Sequence, residues 1–173
     1  KDDERVEGLL FNYIHFYGSY QTIGTSRNWY RKEIRIIRND PRIRSFKDAQ
    51  GFRIEGRKLQ VKETGCHIYH YGWVRPPETM RMKSKEMDRF YHGNDWDHKH
   101  ENTFKYKKSY GIIKFQKTHP AIMNELVKNQ DWKFELEKES FQFKLKDIKS
   151  ILSKITEKFF DWRIGEYKNY KII

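Results

Sequence analysis

The chain has 173 residues, with 36 Lys and Arg against 24 Asp and Glu for a formal net charge of +12, and 16% of its residues are aromatic. That length allows one domain with a real core, or a core with an appendage, and no apolar run approaches the ~20 residues needed to span a bilayer. The single cysteine, Cys66, excludes an intrachain disulfide and a cysteine-based zinc knuckle. The excess of cations favours anionic partners such as nucleic acid, diphosphates, acidic glycans or a membrane face. It is spread along the chain without a solid basic block, so it also reads as a solvated surface. The opening Lys1-Asp2-Asp3 carries no signal-peptide pattern and stands close to a strand-like run, which reads as the start of a fragment of something longer.

In chain order, "VEGLLFNYIHFY" (6–17) predicts a buried strand closed by Gly18-Ser19. "TSRNWYRKE" offers Thr25 or Ser26 as a cap for a short helix or turn carrying Trp29 and Tyr30. "EIRIIRN" alternates, placing Arg35 on one strand face and Ile34 and Ile36 on the other, and stops at the turn signal "NDP". Residues 43–54 read as an irregular segment hinged at Gly51, "EGRK" as a tight turn, and "LQVKETGCHIYHYG" as the next strand. After Pro76-Pro77 the period becomes helical. Met80, Met87, Phe90 and Tyr91 share a face that Met82 leaves, and Gly93 is the stop. "HPAIMNELVKNQ" predicts a second helix begun at Pro120. "DWKFELEKES" opens like a strand and leads to a basic amphipathic helix from about Leu145 to Phe160, followed by a short aromatic tail. The expected organisation is a strand-rich part to about Val74 and a helical remainder, of mixed α+β class.

Few residues point to chemistry by pattern alone. His70 stands where a strand meets the glycine of a loop, so its ring is either a ligand at the rim of a site or a satisfied polar residue. His67, three positions away, falls on the other strand face and cannot chelate with it. Arg35 and Arg38, near Arg27 and Arg31, have the forked geometry that phosphate oxygens accept, or form an exposed basic face. Asp48 in "KDAQGF" is a loop carboxylate, structural or a general base. Asp95 and Asp97 in "DWD" mimic a metal-holding Asp-X-Asp, but their polar, histidine-rich setting with His92, His98 and His100 explains them as turn residues. No Gly-rich phosphate loop is present.

The stretches "FYGSY", "IGTSRNWYRKEIRIIRND", "IRSFKDAQGFR" and "GRKLQVKETGCHIYHYGWVRPPE", with "THPAIMNELVKNQDWKFE" and "GEYKNYKII", together resemble the C-terminal part of a bacterial family 2 glycosyltransferase. The resemblance implies the end of a GT-A-like α/β mixed sheet: an acceptor-side part of the catalytic domain over 1–75 and a mostly helical extension over 76–173. It implies sugar transfer from a nucleoside-diphosphate donor to a glycan or lipid-linked acceptor hydroxyl, in the cytoplasm or at the inner membrane face, assisted by divalent Mg or Mn that is bound mainly through the nucleotide-binding half. Carried onto this sequence, His70 joins the metal and diphosphate shell and Asp48 becomes the base. Arg35, Arg38, Trp73 and Arg75 meet the donor, and His15, Tyr17 and Trp29 line the acceptor side. The nucleotide-binding half with the family's own Asp-X-Asp is expected before Lys1, so this stretch alone is expected to be inactive and prone to self-association through an uncovered edge or face. The amphipathic stretch 145–160 fits either packing on the sheet or contact with an anionic membrane. The alternative function is a basic nucleic-acid-binding module, which lacks any RNA-reading aromatic strand pair.

Overall fold

The computed structural model describes residues 3–46, 51–93, 104–108, 110–136, 145–160 and 162–173, with only the backbone at 145–147. The elements in chain order are β1 (Gly8–Tyr17), β2 (Ser19–Gly24), β3 (Lys32–Ile37), β4 (Ile43–Phe46), β5 (Gly51–Ile54), β6 (Arg57–Lys58) and β7 (Gln60–Trp73). They continue with α1 (Pro77–His92), β8 (Ile112–Lys114), a 3₁₀ turn (Ala121–Met123) running into α2 (Asn124–Lys128), α3 (Leu145–Phe160) and β9 (Lys171–Ile172). The larger sheet has the order β8-β2-β1-β7-β9, with β3 also paired to β1. Its β1–β2, β1–β3 and β2–β8 pairs are antiparallel and its β7–β9 pair is parallel, so the sheet is mixed. The second sheet is the antiparallel β4-β5-β6. The mixed α+β class expected from the sequence agrees with this architecture.

The chain divides into two compact units. One comprises Lys1–Ile14, Arg27–Tyr69 and Ile151–Ile173; the other comprises His15–Ser26 and His70–Ser150. In the first unit, Leu10, Ile34, Ile43, Ile54, Leu59 and Val61 form a buried cluster against which Ile37, Phe52 and Tyr170 pack. At ~25 cal/mol per Å² of apolar surface removed from water, such side chains supply most of the drive for folding. Residues at both ends of the irregular segment pair as the β4–β5 hairpin, Ile43 opposite Ile54 and Phe46 opposite Gly51. The "EGRK" turn is a two-residue connection between paired Ile54 and Arg57, with Glu55 and Gly56 at φ 50° and 83°, the sign pattern of a type I′ hairpin. The aromatic tail is tied in by β9, whose Lys171 N–H donates to the Leu59 carbonyl at 2.9 Å.

The alternation expected in β3 does not hold. Ile34 is 3% exposed but Ile36 is 52% exposed. Leu9 faces Ile36 while Leu10 faces Ile34, so Arg35 is an extra residue inserted between two pairs. Such a bulge breaks the two-residue period and turns the next side chain away.

In the second unit, Phe16, Tyr20, Val74, Met80, Tyr106 and Phe115 are buried. Gly18 connects β1 to β2 at φ +72°, and a Cβ there would lie 1.8 Å from the Phe134 ring, so both the turn and the close approach require glycine. The predicted strand-like opening of "DWKFELEKES" is absent over 131–136. Those residues instead pack beside Gly18, whose carbonyl accepts the Trp132 indole N–H at 3.0 Å. Pro77 starts α1, and Gly93, at φ 83°, ends it with its N–H on the Arg89 carbonyl. Of the apolar face predicted for α1 only Met80 is buried; Met87, Phe90 and Tyr91 are exposed. No helix among the described residues is long and apolar enough to cross a membrane.

Candidate functional site

The end of β7 brings together the residues that the sequence marked in the second unit. Strand alternation puts His70 and Gly72 on one face and Tyr71 and Trp73 on the other. On the first face, Nδ1 of His70 lies 3.2 Å from Nδ1 of His15, and the two rings meet edge to face at 5.1 Å. His15 is 3% exposed and His70 is half-buried, so a buried imidazole backs a more accessible one. Gly72 leaves room for the ring: a Cβ there would sit 2.8 Å from Nε2 of His70.

The hydrogen bond fixes a tautomer relation, since one Nδ1 must donate and the other accept. When His70 accepts at Nδ1, its Nε2 carries a proton to give; when it donates, Nε2 holds a lone pair. His15 thereby orients His70 and couples the state of its Nε2 to the tautomer of His15.

On the other face the rings of Phe16 and Tyr71 stack at 4.5 Å, and the Tyr71 hydroxyl meets Nδ1 of His119 at 2.8 Å. Burial depresses the His119 pKa, an effect partly offset by a backbone hydrogen bond with Tyr20. Trp73 packs against Tyr17 at 6.0 Å, and Tyr17 against Tyr106 at 5.2 Å. The Tyr106 hydroxyl donates toward the carbonyls of Trp73 and Arg75, at 3.2 and 2.8 Å, and burial pushes its pKa up to about 12. Lys83 from α1 donates to the Gly72 carbonyl at 2.7 Å, with Nζ 5.9 Å from the Trp73 ring. Burial, with Arg75 nearby, lowers the Lys83 pKa. Arg75 itself is exposed.

Arg35, Arg38 and Trp29 belong to the first unit. Arg35 is held by Glu33 at 2.7 Å and by the Tyr13 hydroxyl, and its guanidinium lies 5.1 Å from the centre of the Tyr13 ring. Arg38 donates to the Val6 and Asp3 carbonyls and lines a 710 Å³ cavity with Leu9, Ile36 and Lys62. The Trp29 carbonyl accepts from Arg163 at 2.9 Å. Both arginines predicted to meet phosphate therefore already serve local contacts. Asp48 lies outside the described residues, as do Asp95, Asp97, His98 and His100.

The donor set that the pair offers to the expected Mg or Mn is two imidazole nitrogens. Two nitrogen ligands on a tetrahedral ion at Zn–N distances of ~2.0–2.1 Å lie about 3.3 Å apart, near the spacing of the His15–His70 pair. Yet imidazole suits zinc, copper, iron and nickel, whereas Mg and Mn prefer oxygen. Among the described residues no three His, Cys, Asp or Glu side chains are grouped to hold an ion. The histidine pair alone does not fit a Mg or Mn site.

Sequence reasoning brought out His15, Tyr17, His70 and Trp73 but missed Lys83 and Tyr106 beside Trp73 and Tyr17, and His119 beside Tyr71. The only available signal was the clustering of aromatic residues; which of them meet depends on contacts between residues far apart in the chain, as between Phe16 and His119. No protein-family model, curated protein or solved structure matches the chain.

Proposed function

We propose that this chain holds, over 1–75, the acceptor-side part of a glycosyltransferase domain and, over 76–173, its helical extension, in an enzyme that moves a sugar from a nucleoside-diphosphate donor to an acceptor hydroxyl in surface glycan synthesis. The family resemblance of "HYGWVRPPE" and "KDAQGFR" supports this reading, and one geometric observation carries it. At the strand end where such an enzyme needs a polar group, a half-buried His70 is oriented by a buried His15 at 3.2 Å. His70 is assigned to the donor diphosphate, which its Nε2 can meet as a donor when His15 holds Nδ1. Trp73 and Tyr17, braced by Tyr106 and Lys83, shape the adjoining loop, with Arg75 exposed beside them.

In the transfer step the acceptor oxygen bonds to the anomeric carbon as the bond from that carbon to the diphosphate oxygen breaks. The hydroxyl proton passes to a carboxylate, the role that the family resemblance implies for Asp48.

The test uses the protein as its gene encodes it. Titration with nucleoside diphosphates, followed by turnover of the matching sugar nucleotides, is expected to show binding and transfer. His70→Ala should lower turnover by about 10–100-fold, as loss of an orienting or outer-shell group does. His70→Ala turning over at the wild-type rate, or a failure to bind any nucleoside diphosphate, would overturn the assignment. The nucleic-acid reading has less support, because Arg31, Arg35, Arg42, Arg57 and Arg163 all sit in ion pairs.

A further inference from the structure

Surface helices ordinarily turn apolar side chains toward the protein and polar ones to solvent. From Ile151 onward α3 does the reverse. Ser153 is 2% exposed, and Glu157, one turn along the same side, is paired with Arg31 at 3.2 Å and with Arg163 at 2.6 Å. Leu152, Ile155 and Phe159, spaced i, i+3 and i+7, are 49, 49 and 70% exposed. Phe160, the last residue of the helix, and Trp162 beyond it are 77 and 50% exposed. Lys158 is exposed too, its Nζ 6.0 Å from the centre of the Phe159 ring.

We propose that this face of α3 rests on an anionic lipid surface. Leu152, Ile155 and Phe159 enter the boundary between headgroups and acyl chains, Trp162 lies at headgroup depth, and Lys158 meets lipid phosphates. Charge selects this occupant. A second copy would bring another chain of formal charge +12 against the same lysine, whereas anionic headgroups neutralise it. The helix is not apolar or long enough to cross a bilayer, so it lies in the interface plane. The proposal does not depend on the transferase reading.

Co-sedimentation of the purified chain with phosphatidylglycerol–phosphatidylcholine vesicles tests it, with pure phosphatidylcholine vesicles alongside. Binding is expected to the anionic vesicles, weakening as salt rises. Replacing Leu152, Ile155 and Phe159 together by serine should reduce partitioning by about tenfold or more, given the apolar surface removed. These side chains are exposed, so circular dichroism should stay unchanged. Phe159→Trp should bind at least as well as the wild type, and Lys158→Gln should bind less tightly with a shallower salt dependence. No pelleting with anionic vesicles, equal pelleting with neutral ones, or a serine variant that pellets like the wild type would each overturn the proposal. So would a dimer in velocity sedimentation that the serine variant dissolves, because a second copy would then cover the face.

Discussion

Arg31 is the cation on which the first unit's later segments converge, and its removal should be costly. Its Nε and Nη2 donate to the two oxygens of Glu166 at 3.0 and 2.8 Å, while Nη1 reaches Glu157 at 3.2 Å. Glu157 also holds Arg163 at 2.6 Å, and Arg163 caps the Trp29 carbonyl. The Arg31 and Glu166 side chains are 15 and 16% exposed. A fully exposed pair contributes at most ~1 kcal/mol, and breaking a fully buried one costs ~3–5 kcal/mol. A bidentate pair of intermediate burial belongs between these limits, so Arg31→Ala should destabilise by about 2 kcal/mol. In a chain of this size that lowers the melting temperature by about 4–8 °C. A double-mutant cycle separates the pair from the rest of the truncation. Arg31→Ala and Glu166→Ala, alone and combined, are followed by urea unfolding, and a coupling of about 1–2 kcal/mol is expected. Arg31 with Glu157 should couple less, since Glu157 keeps Arg163. Arg31 with Arg57, whose partner is Glu7 at 2.5 Å, should be additive. A coupling to Glu166 within the ~0.5 kcal/mol scatter of independent sites would refute the reasoning.

Gly18→Ala combines a left-handed φ with a clash against Phe134 and should cost about 3 kcal/mol. Adding Phe134→Ala should remove the steric share while leaving ~1–2 kcal/mol of backbone strain, read from denaturation midpoints. For His119, burial lowers the folded-state pKa below the unfolded value, so the unfolded chain takes up the proton first as pH falls. Its effect on stability is nil while both states are neutral. It becomes unfavourable as pH drops through about 6.5 and levels off below the folded pKa. Melting curves between about pH 7.5 and 5 should therefore fall more steeply for the wild type than for His119→Gln, and parallel curves would contradict the assignment.

The strands were legible where an apolar run is buried, as in β1, and where turn chemistry is strong, as at Glu55-Gly56. The β3 bulge was not, because inserting Arg35 between Ile34 and Ile36 leaves a sequence that still alternates. The β4–β5 hairpin escaped notice because its strands are four residues each, too short for a clear period. The face of α1 was misjudged for a different reason. Helical spacing shows that apolar residues align, but not whether anything packs against them, and only Met80 finds cover.

The same distinction governs the site. His70 stood out because a strand end beside glycine is a local pattern, visible in a handful of residues. His15 was marked only through the family resemblance and for the acceptor side, and its place next to His70 depends on how residues 55 positions apart are brought together. That partner changes the chemistry more than the marked residue does. A solitary imidazole at a strand end can rotate freely, whereas one hydrogen-bonded at Nδ1 to a buried neighbour presents Nε2 in a set direction and in a state coupled to that neighbour's tautomer. His15→Phe should therefore weaken donor turnover without removing His70, and His15→Asn, which keeps a hydrogen-bonding side chain, should recover part of the loss. If both variants turned over like the wild type, His70 would be oriented by something other than His15.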